Sequence, residues 1–505
     1  MVEHGGIFAL MFVGGFALSL ACIPWMKKLA FEYDWVDRPR GRKQHERPVP
    51  LLGGLAIFLP LPILLFVASA LPSEATSDFL VMSRLPELVS LFLGTAFILL
   101  VGLLDDRKAL SWRAKLSAQL FAVLILIAGG HCLRSATMPI LGPVNFGWLG
   151  YPLFGLAVIL ITNAINLIDG LDGIAGGICF FAALTCGIIS LNKGDMPIAC
   201  IGLVLSGSLL AFLWFNFPPA SIFMGDAGSL SLGFLLGAIA TSSAAVGGGA
   251  GQRSTTIGVT LIPLLPFAIA LVDVGLSVMR RWISGKRLFL PDANHLHHRL
   301  VAEFKHPRKV VLIVYGFTAL LSAFAICLTV FPGLQSRPWG IALALVLSVG
   351  TVGGALRLYR VKYFADAVTN RPHIKFLDSF VTFEKNRARR ARSVEELLAL
   401  LESGVRDLDF DSVEVMNNGR TLTRWAHLSP VHSRHARQTG QVPLGLNGYL
   451  AKWTIPVHDS TDYQDALTFS WQEFISEVDL RLRHLEETHQ KGFAEPIRRA
   501  GKAWT

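Results

Sequence analysis

The stretch "LAVILITNAINLIDGLDGIAGGICFFAALTCGII", Leu156 to Ile189, decides how the chain is read. Two apolar runs flank a polar core, Asn163 to Gly177, in which Asn163, Asn166, Asp169 and Asp172 recur at three-residue spacing. That spacing sets the four along one slowly drifting helix face. Gly170 and Gly173 keep the face open to close approach by backbone or ligand. Asx and Gly also favour turns, but one Asp and one Gly would satisfy a turn. The doubled Asp-Gly-Leu-Asp-Gly behind two Asn goes further and points to a polar site at a membrane boundary.

Composition agrees. Of 505 residues, 52% are hydrophobic and only 16% charged, with a mean hydropathy of +0.49; a soluble domain carries about 25% charge. The deficit ends near residue 360, beyond which clusters such as "EKNRARRARSVEELL" (Glu384–Leu398) read as ordinary soluble sequence. The expected architecture is an all-α polytopic membrane domain over residues 1–360 and a small cytoplasmic α/β domain over 361–505. Eleven candidate spans are 5–26, 51–71, 86–104, 116–133, 148–166, 174–191, 197–215, 229–246, 257–279, 310–331 and 339–357. Each approaches the ~20 residues that cross a bilayer as a helix. Gly and Ser dilute 174–191 and 229–246, which are kept because Gly is common in membrane helices. The first run, Met1 to Lys28, has no basic n-region and no small-residue cleavage site, so it is expected to span rather than to be cleaved. The six Cys lie in or beside apolar runs without a C-x-x-C, which suits small core residues rather than disulfides or zinc ligands.

A net charge of +10 could suggest nucleic acid. Counting Lys and Arg in alternate loops gives a simpler cause: the odd loops hold 19 and the even loops 5. Cytoplasmic loops attract Lys and Arg, so the amino terminus is expected outside and the odd loops and the tail inside, with no nucleic-acid partner.

Five polar segments fall in odd loops. They are "DRPRGRKQHERPVPLLGG" (Asp37–Gly54), "LLDDRKALSW" with Asp105 and Asp106, the Asn163–Gly177 stretch, "FNFPPASIFMGDAGSLSLG" with Asn216 and Asp226, and "PDANHLHHRL" with His295, His297 and His298. Polar groups scattered at random would divide between the two sides; gathered on one, they argue for one site. Asp105 and Asp106 could be an interfacial cap neutralised by Arg107 and Lys108, but two adjacent carboxylates repel, and a divalent cation or phosphate network explains the pair better. The glycines around Asp226 precede an apolar span, where main-chain amides can hold an anion and the carboxylate can offer Mg²⁺ a hard oxygen. Asn216 stands before a Pro pair expected to hold the chain extended. The His cluster has no Cys beside it, and adjacent His297 and His298 diverge, so anion and sugar contacts helped by Arg299 suit it better than zinc. Acidic oxygens, amides and His without a Cys nucleophile or Ser-His-Asp order suit Mg²⁺-assisted phosphate chemistry. No G-x-x-x-x-G-K-S/T loop is present, which excludes a P-loop pump.

These motifs, in this order, resemble the polyprenyl-phosphate N-acetylhexosamine-1-phosphate transferases. The family's Pro-Val-Pro-x-x-Gly-Gly element is matched by Pro48–Gly54, its Asp pair by Asp105 and Asp106, its N-x-x-N-x-x-D-G-x-D-G by Asn163–Gly173, its M-G-D-x-G-S by Met224–Ser229, and its His cluster by His295, His297 and His298. The resemblance covers residues 1–360. It implies attack by undecaprenyl phosphate on the sugar-bound phosphorus of a UDP-N-acetylhexosamine, with Mg²⁺, releasing UMP and initiating a cell-surface polysaccharide at a bacterial inner membrane. By the same resemblance Asp226 and Asn166 would hold the metal. Asp105 would accept the proton of the lipid phosphate or position it, and Asp106 beside it would act through nearby basic groups. Asn163, Asp169, Asp172 and Asn216 would contact uridine or order the site. The His cluster would meet the sugar phosphate, and Lys43 matches a basic residue of the first cytoplasmic loop. His-Leu-His-His-Arg, in place of three consecutive His, favours the GlcNAc-1-phosphate branch over the peptide-bearing donor. A homodimer is compatible with this reading.

In the tail, "SVEELLALLESGVRDL" opens with a capping box, Ser393 and Glu396. "DSVEVM", "TRWAHL", "KWTIPV" and "LTFSW" read as strands and "WQEFISEVDLRLRHLEETHQ" as a closing helix. The rival class is a transporter or flippase of a lipid-linked or phosphorylated substrate. It would carry charges at mid-span, and Asp273 is the nearest instance.

Overall fold

The computed structural model describes residues 2–38, 47–70, 85–138, 142–243, 262–284, 300–301, 304–331, 350, 361–408, 410–417, 420–426, 437–445, 449–456 and 461–501. The chain divides into two compact units, Met1–Ser277 with Pro291–Tyr359, and Val278–Leu290 with Arg360–Thr505.

Among the described residues seven helices are long and apolar enough to cross a membrane: Gly6–Glu32, Leu85–Arg107, Gly147–Ile168, Ile174–Asn192, Met196–Asn216, Ile262–Ile283 and Pro307–Val330. The eleven expected spans are therefore not all recovered at that standard. Of the expected span 51–71, residues 53–70 fall on two short helices, Gly53–Phe58 and Pro60–Ala70; of 116–133, residues 116–128 fall on the 17-residue helix Trp112–Ala128; and of 229–246, residues 229–243 fall on Gly225–Ser243, whose first two turns are too polar. All of 339–357 but residue 350 lies outside the described residues.

In chain order the helices that begin in the first unit are α1 (Val2–Glu32), α2 (Gly53–Phe58), α3 (Pro60–Ala70), α4 (Leu85–Arg107), α5 (Trp112–Ala128), α6 (Gly150–Ile168), α7 (Ile174–Asn192), α8 (Met196–Asn216), α9 (Gly225–Ser243), α10 (Ala268–Ser284, which from Val278 on belongs to the second unit) and α11 (Pro307–Val330), and its short strands are β1 (Val36–Asp37), β2 (Val49–Pro50), β3 (Ser135–Met138) and β4 (Gly142–Asn145). The centre of this unit is α9, packed against α2, α4, α6 and α7. Phe234, Leu235 and Leu236 in its middle are fully buried. The small residues that dilute its hydropathy are what let neighbours approach. A Cβ on Gly102 of α4 would collide with the main chain of Ala227 on α9, so the two helices meet backbone to backbone there. Gly102→Val is expected to destabilise the fold by about 1–3 kcal/mol through overpacking. A thermal melt of the detergent-solubilised protein checks this, and an unchanged midpoint would mean that α4 and α9 do not meet at Gly102.

The second unit holds a four-stranded antiparallel sheet in the order β6-β5-β8-β7, where β5 is Ser412–Asn417, β6 Arg420–Ala426, β7 Arg437–Leu444 and β8 Tyr449–Pro456. Helices α12 (Val361–Arg390), α13 (Val394–Asp407) and α14 (Thr461–Gly501) complete it. The capping box forms with one change. Ser393 Oγ accepts from Glu396 N at 3.3 Å, while Glu396 accepts from the N–H of Arg392, one residue before the cap, at 2.6 Å. The strand expected at "LTFSW" is a correction, because those residues lie inside α14. Leu-Thr-Phe-Ser-Trp alternates like a strand, but Leu467, Trp471, Phe474 and Val478 recur every three to four residues and are all buried, which is the helical period. Strand β7 was not anticipated, because Gly440 and Pro443 interrupt its apolar pattern.

Candidate active site

The site is assembled at the start of α9. The chain enters α9 through Gly225, whose φ of 69° is one that side chains rarely adopt. A Cβ there would also stand 2.5 Å from an oxygen of Asp106. Asp106, in the last turn of α4, accepts from Asp226 N at 2.7 Å and Ala227 N at 3.1 Å. The free N–H groups of a helix start are thus satisfied by a carboxylate from a distant segment, where the helix dipole also favours negative charge. This differs from the expectation that Asp106 acts through nearby basic groups: both its oxygens are engaged by main-chain amides. Asp106→Ala is expected to lower stability by about 0.5–2 kcal/mol, the usual cost of a lost N-cap, and Asp106→Asn by less. Equal melting points for the parent and both variants would show that the cap is not holding α9.

Asp105, its neighbour, points elsewhere, as residues about 100° apart on a helix must. Its Oδ1 accepts from Leu110 N at 2.7 Å and closes the turn into α5, which Ser111 caps. Lys115, one turn into α5, reaches back and ion-pairs with both Asp105 and Asp226, the latter at 2.8 Å. From α6, Asn166 donates to Asp226 Oδ1 at 2.7 Å and Ser229 Oγ at 2.9 Å. Burial works against the charge of Asp226, but Asp105, Lys115 and Asn166 outweigh it and hold the carboxyl below its ordinary range.

The polar stretch does not lie along one helix face as expected: Asn163 and Asn166 are on α6, which stops at Ile168, and Asp169 and Asp172 fall in the turn before α7. Asn163 pairs with Gln119 of α5 at 2.7 Å, Asn166 meets α9, and Asp169 ends α6. Desolvation, reinforced by Asp226, Asp106 and Asp172, keeps the Asp169 carboxyl well above its ordinary range. Asp172 accepts from Ala220 N at 2.8 Å. Asn216 accepts from Gly173 N at 2.9 Å and donates to Ile222 O at 2.8 Å. Its amide therefore clamps two loops together. Ser221 N donates to Phe215 O at 2.8 Å, so the segment with the Pro pair turns back rather than running extended. Tyr315 OH of α11 donates to Gly173 O, and Arg308 Nε to Pro218 O, each at 2.7 Å.

The Pro-Val-Pro-x-x-Gly-Gly element belongs to the same knot. Phe223 N donates to Pro50 O at 2.8 Å, and Gly53 N and Gly54 N donate to Phe223 O and Met224 O at 3.0 Å each. A two-residue strand, β2 (Val49–Pro50), pairs with β1 (Val36–Asp37) just before it. Lys43, His295, His297 and His298 lie outside the described residues. Asp273, the mid-span carboxylate, is buried within the helix Ile262–Ile283.

Lys115 and Gln119 went unrecognised in the sequence, where Lys115 counted only as a loop charge. The available signal was two polar groups at i and i+4, one helix face, where an apolar span begins. Among the described residues no three His, Cys, Asp or Glu converge as a ready cation cage. Asp105 and Asp226 instead close around an ammonium. Mg²⁺ keeps several waters and takes one or two carboxylates plus substrate phosphate, so Asp226, with the Asn166 amide against it and held below its ordinary range, is a donor that fits it.

Residues 88–244 match the family model described as Glycosyl transferase family 4. The chain is 33% identical over 318 residues to a probable undecaprenyl-phosphate N-acetylglucosaminyl 1-phosphate transferase of Bacillus subtilis, covering 62% of this chain and 84% of that one. It is 33% identical over 342 residues to a decaprenyl-phosphate N-acetylglucosaminephosphotransferase of Mycolicibacterium smegmatis, covering 64% and 83%. It is 29% identical over 348 residues to a phospho-N-acetylmuramoyl-pentapeptide-transferase of Bacillus subtilis, covering 66% and 100%.

Proposed function

The chain belongs to the polyprenyl-phosphate N-acetylhexosamine-1-phosphate transferases, and from that premise we propose that it transfers GlcNAc-1-phosphate from UDP-GlcNAc to undecaprenyl phosphate, the first step of a cell-surface polysaccharide. Membership makes it a multi-pass membrane transferase of the class that moves a sugar 1-phosphate onto a polyprenyl phosphate. The preference for GlcNAc rests on His295-Leu296-His297-His298-Arg299 and on the names of the two GlcNAc-handling relatives.

One observation carries the chemistry. Four sequence-distant motifs are tied into a single knot of three carboxylates, an amide and one Lys at the start of α9. In the proposed reaction an oxygen of the lipid phosphate bonds to the sugar-bearing phosphorus of the donor. The bond from that phosphorus to the bridging oxygen breaks, and UMP leaves with that oxygen. Asp226 and Asn166 would hold Mg²⁺, which would neutralise charge gathering on the diphosphate. Asp105 takes or orients the proton of the lipid phosphate. Asp106 holds the start of α9, and hence Asp226, in place; Asn163, Asp169, Asp172 and Asn216 order the two loops beside the nucleotide. Lys43 and the His cluster contact phosphate and sugar.

The test is a reconstituted assay with sugar-labelled donors, undecaprenyl phosphate and Mg²⁺. UDP-GlcNAc is expected to label the lipid faster than UDP-GalNAc or the peptide-bearing donor, and no lipid labelling from any donor would defeat the proposal. The site is further proposed to face the cytoplasm. Single cysteines at Asp37, at Ser111 and in the tail are expected to react with an impermeant label only from inside; labelling of any of them from outside would undo the one-sided site.

A further inference from the structure

We infer that Lys115 is a resident counter-ion which the divalent cation must displace, so that metal entry frees the lysine to hold substrate phosphate. The inference rests on the proposed metal-using function. Its basis is geometric. Asp105 and Asp226 come from α4 and α9, and among the described residues the cation that joins them is the Lys115 ammonium, ion-paired with the Oδ2 oxygens of both. Two ionised carboxylates brought this close repel unless a cation joins them, and the lysine is such a cation. One of the two oxygens it holds, Asp226 Oδ2, is the one that a metal on Asp226 would need. The remaining oxygens are less free: Asp105 Oδ1 is engaged by Leu110 N and Asp226 Oδ1 by Asn166. Lysine and metal therefore compete for Asp226 Oδ2.

Exchange replaces a charge of +1 by one of +2 between two carboxylates. No covalent bond changes and no proton needs to move. The ammonium sits on a flexible four-carbon stem with three donors, rooted on α5 beside the site, and once displaced it would be available to a substrate phosphate bound there. The exchange separates two functions. Without substrate, Lys115 opposes the metal; with a phosphate present, the same lysine supports it.

The experiment measures Mn²⁺ binding to full-length, detergent-purified protein without substrate, by the loss of the free-ion electron paramagnetic resonance signal. Lys115→Met is expected to bind Mn²⁺ at least about tenfold tighter than the parent, near 1.4 kcal/mol, and Lys115→Arg to bind like the parent. Thermal melts with and without Mn²⁺ keep the test decisive where Lys115→Met is less stable: the metal is expected to raise its midpoint by more than it raises the parent's. A folded Lys115→Met with equal or weaker Mn²⁺ affinity overturns the inference alone. A parent and Lys115→Met that both fail to bind Mn²⁺ at millimolar concentration overturn the metal reading, and the inference with it.

Discussion

Asp226→Asn is expected to abolish turnover, with a loss of about 10³-fold or more, equivalent to roughly 4 kcal/mol of barrier. The substitution is unusually clean. The main-chain N–H of residue 226 that Asp106 caps is untouched, and Asn has the shape to stay against Asn166. What is lost is the charge that pairs with Lys115 and that a hard cation requires. Asn166→Ala, which removes the amide facing the same carboxylate, is expected to be severely impaired as well. Steady-state rates across a Mg²⁺ titration, with a melt to confirm folding, provide the measurement. Near-normal activity insensitive to EDTA in Asp226→Asn would remove the residue as a metal ligand.

The second large effect is expected at Asp105. Asp105→Asn keeps an oxygen to accept from Leu110 N, so the turn between α4 and α5 should survive. It loses the charge that faces Lys115. A proton acceptor contributes typically 10²–10⁴-fold in rate, and a loss in that range is expected, with UDP-GlcNAc affinity by calorimetry changing far less. A rate within a few-fold of the parent would strip Asp105 of both roles, base and positioner. Intact turnover at saturation with ruined donor affinity would move it into the nucleotide pocket.

The division between Asp105 and Asp106 shows how far sequence could lead. That the two carboxylates belong to one site with Asp226 was legible, because rare polar motifs gather at the ends of apolar runs. Their separate tasks were not. Which carboxylate meets a helix start and which meets a lysine depends on how α4, α5 and α9 cross, and that is fixed by close contacts such as Gly102 on Ala227, which no local pattern announces. Lys115 was hidden for the same reason, since its partners are 10 and 111 residues away. Whether Asn216 meets a ligand or orders the site was not legible, because a buried amide that bonds main chain, as here to Gly173 N and Ile222 O, and a substrate-facing one have the same sequence signature. In the tail, β5 and β8 were readable from alternation, whereas "LTFSW" alternated by coincidence inside a helix whose buried face only the wider 3.6-residue window reveals.

The central claim is that a phosphorus bound to sugar changes partners in the knot at the start of α9. Following that phosphorus tests it most directly. UDP-GlcNAc carrying ³²P only at the sugar-bearing phosphate is incubated with the purified protein, undecaprenyl phosphate and Mg²⁺, and nucleotides and lipids are separated. The expected result is label in the lipid diphosphate fraction with an equal amount of unlabelled UMP, both absent with Asp226→Asn. Label recovered in UDP, with sugar alone on the lipid, or label carried across a vesicle membrane in unchanged donor, would contradict it.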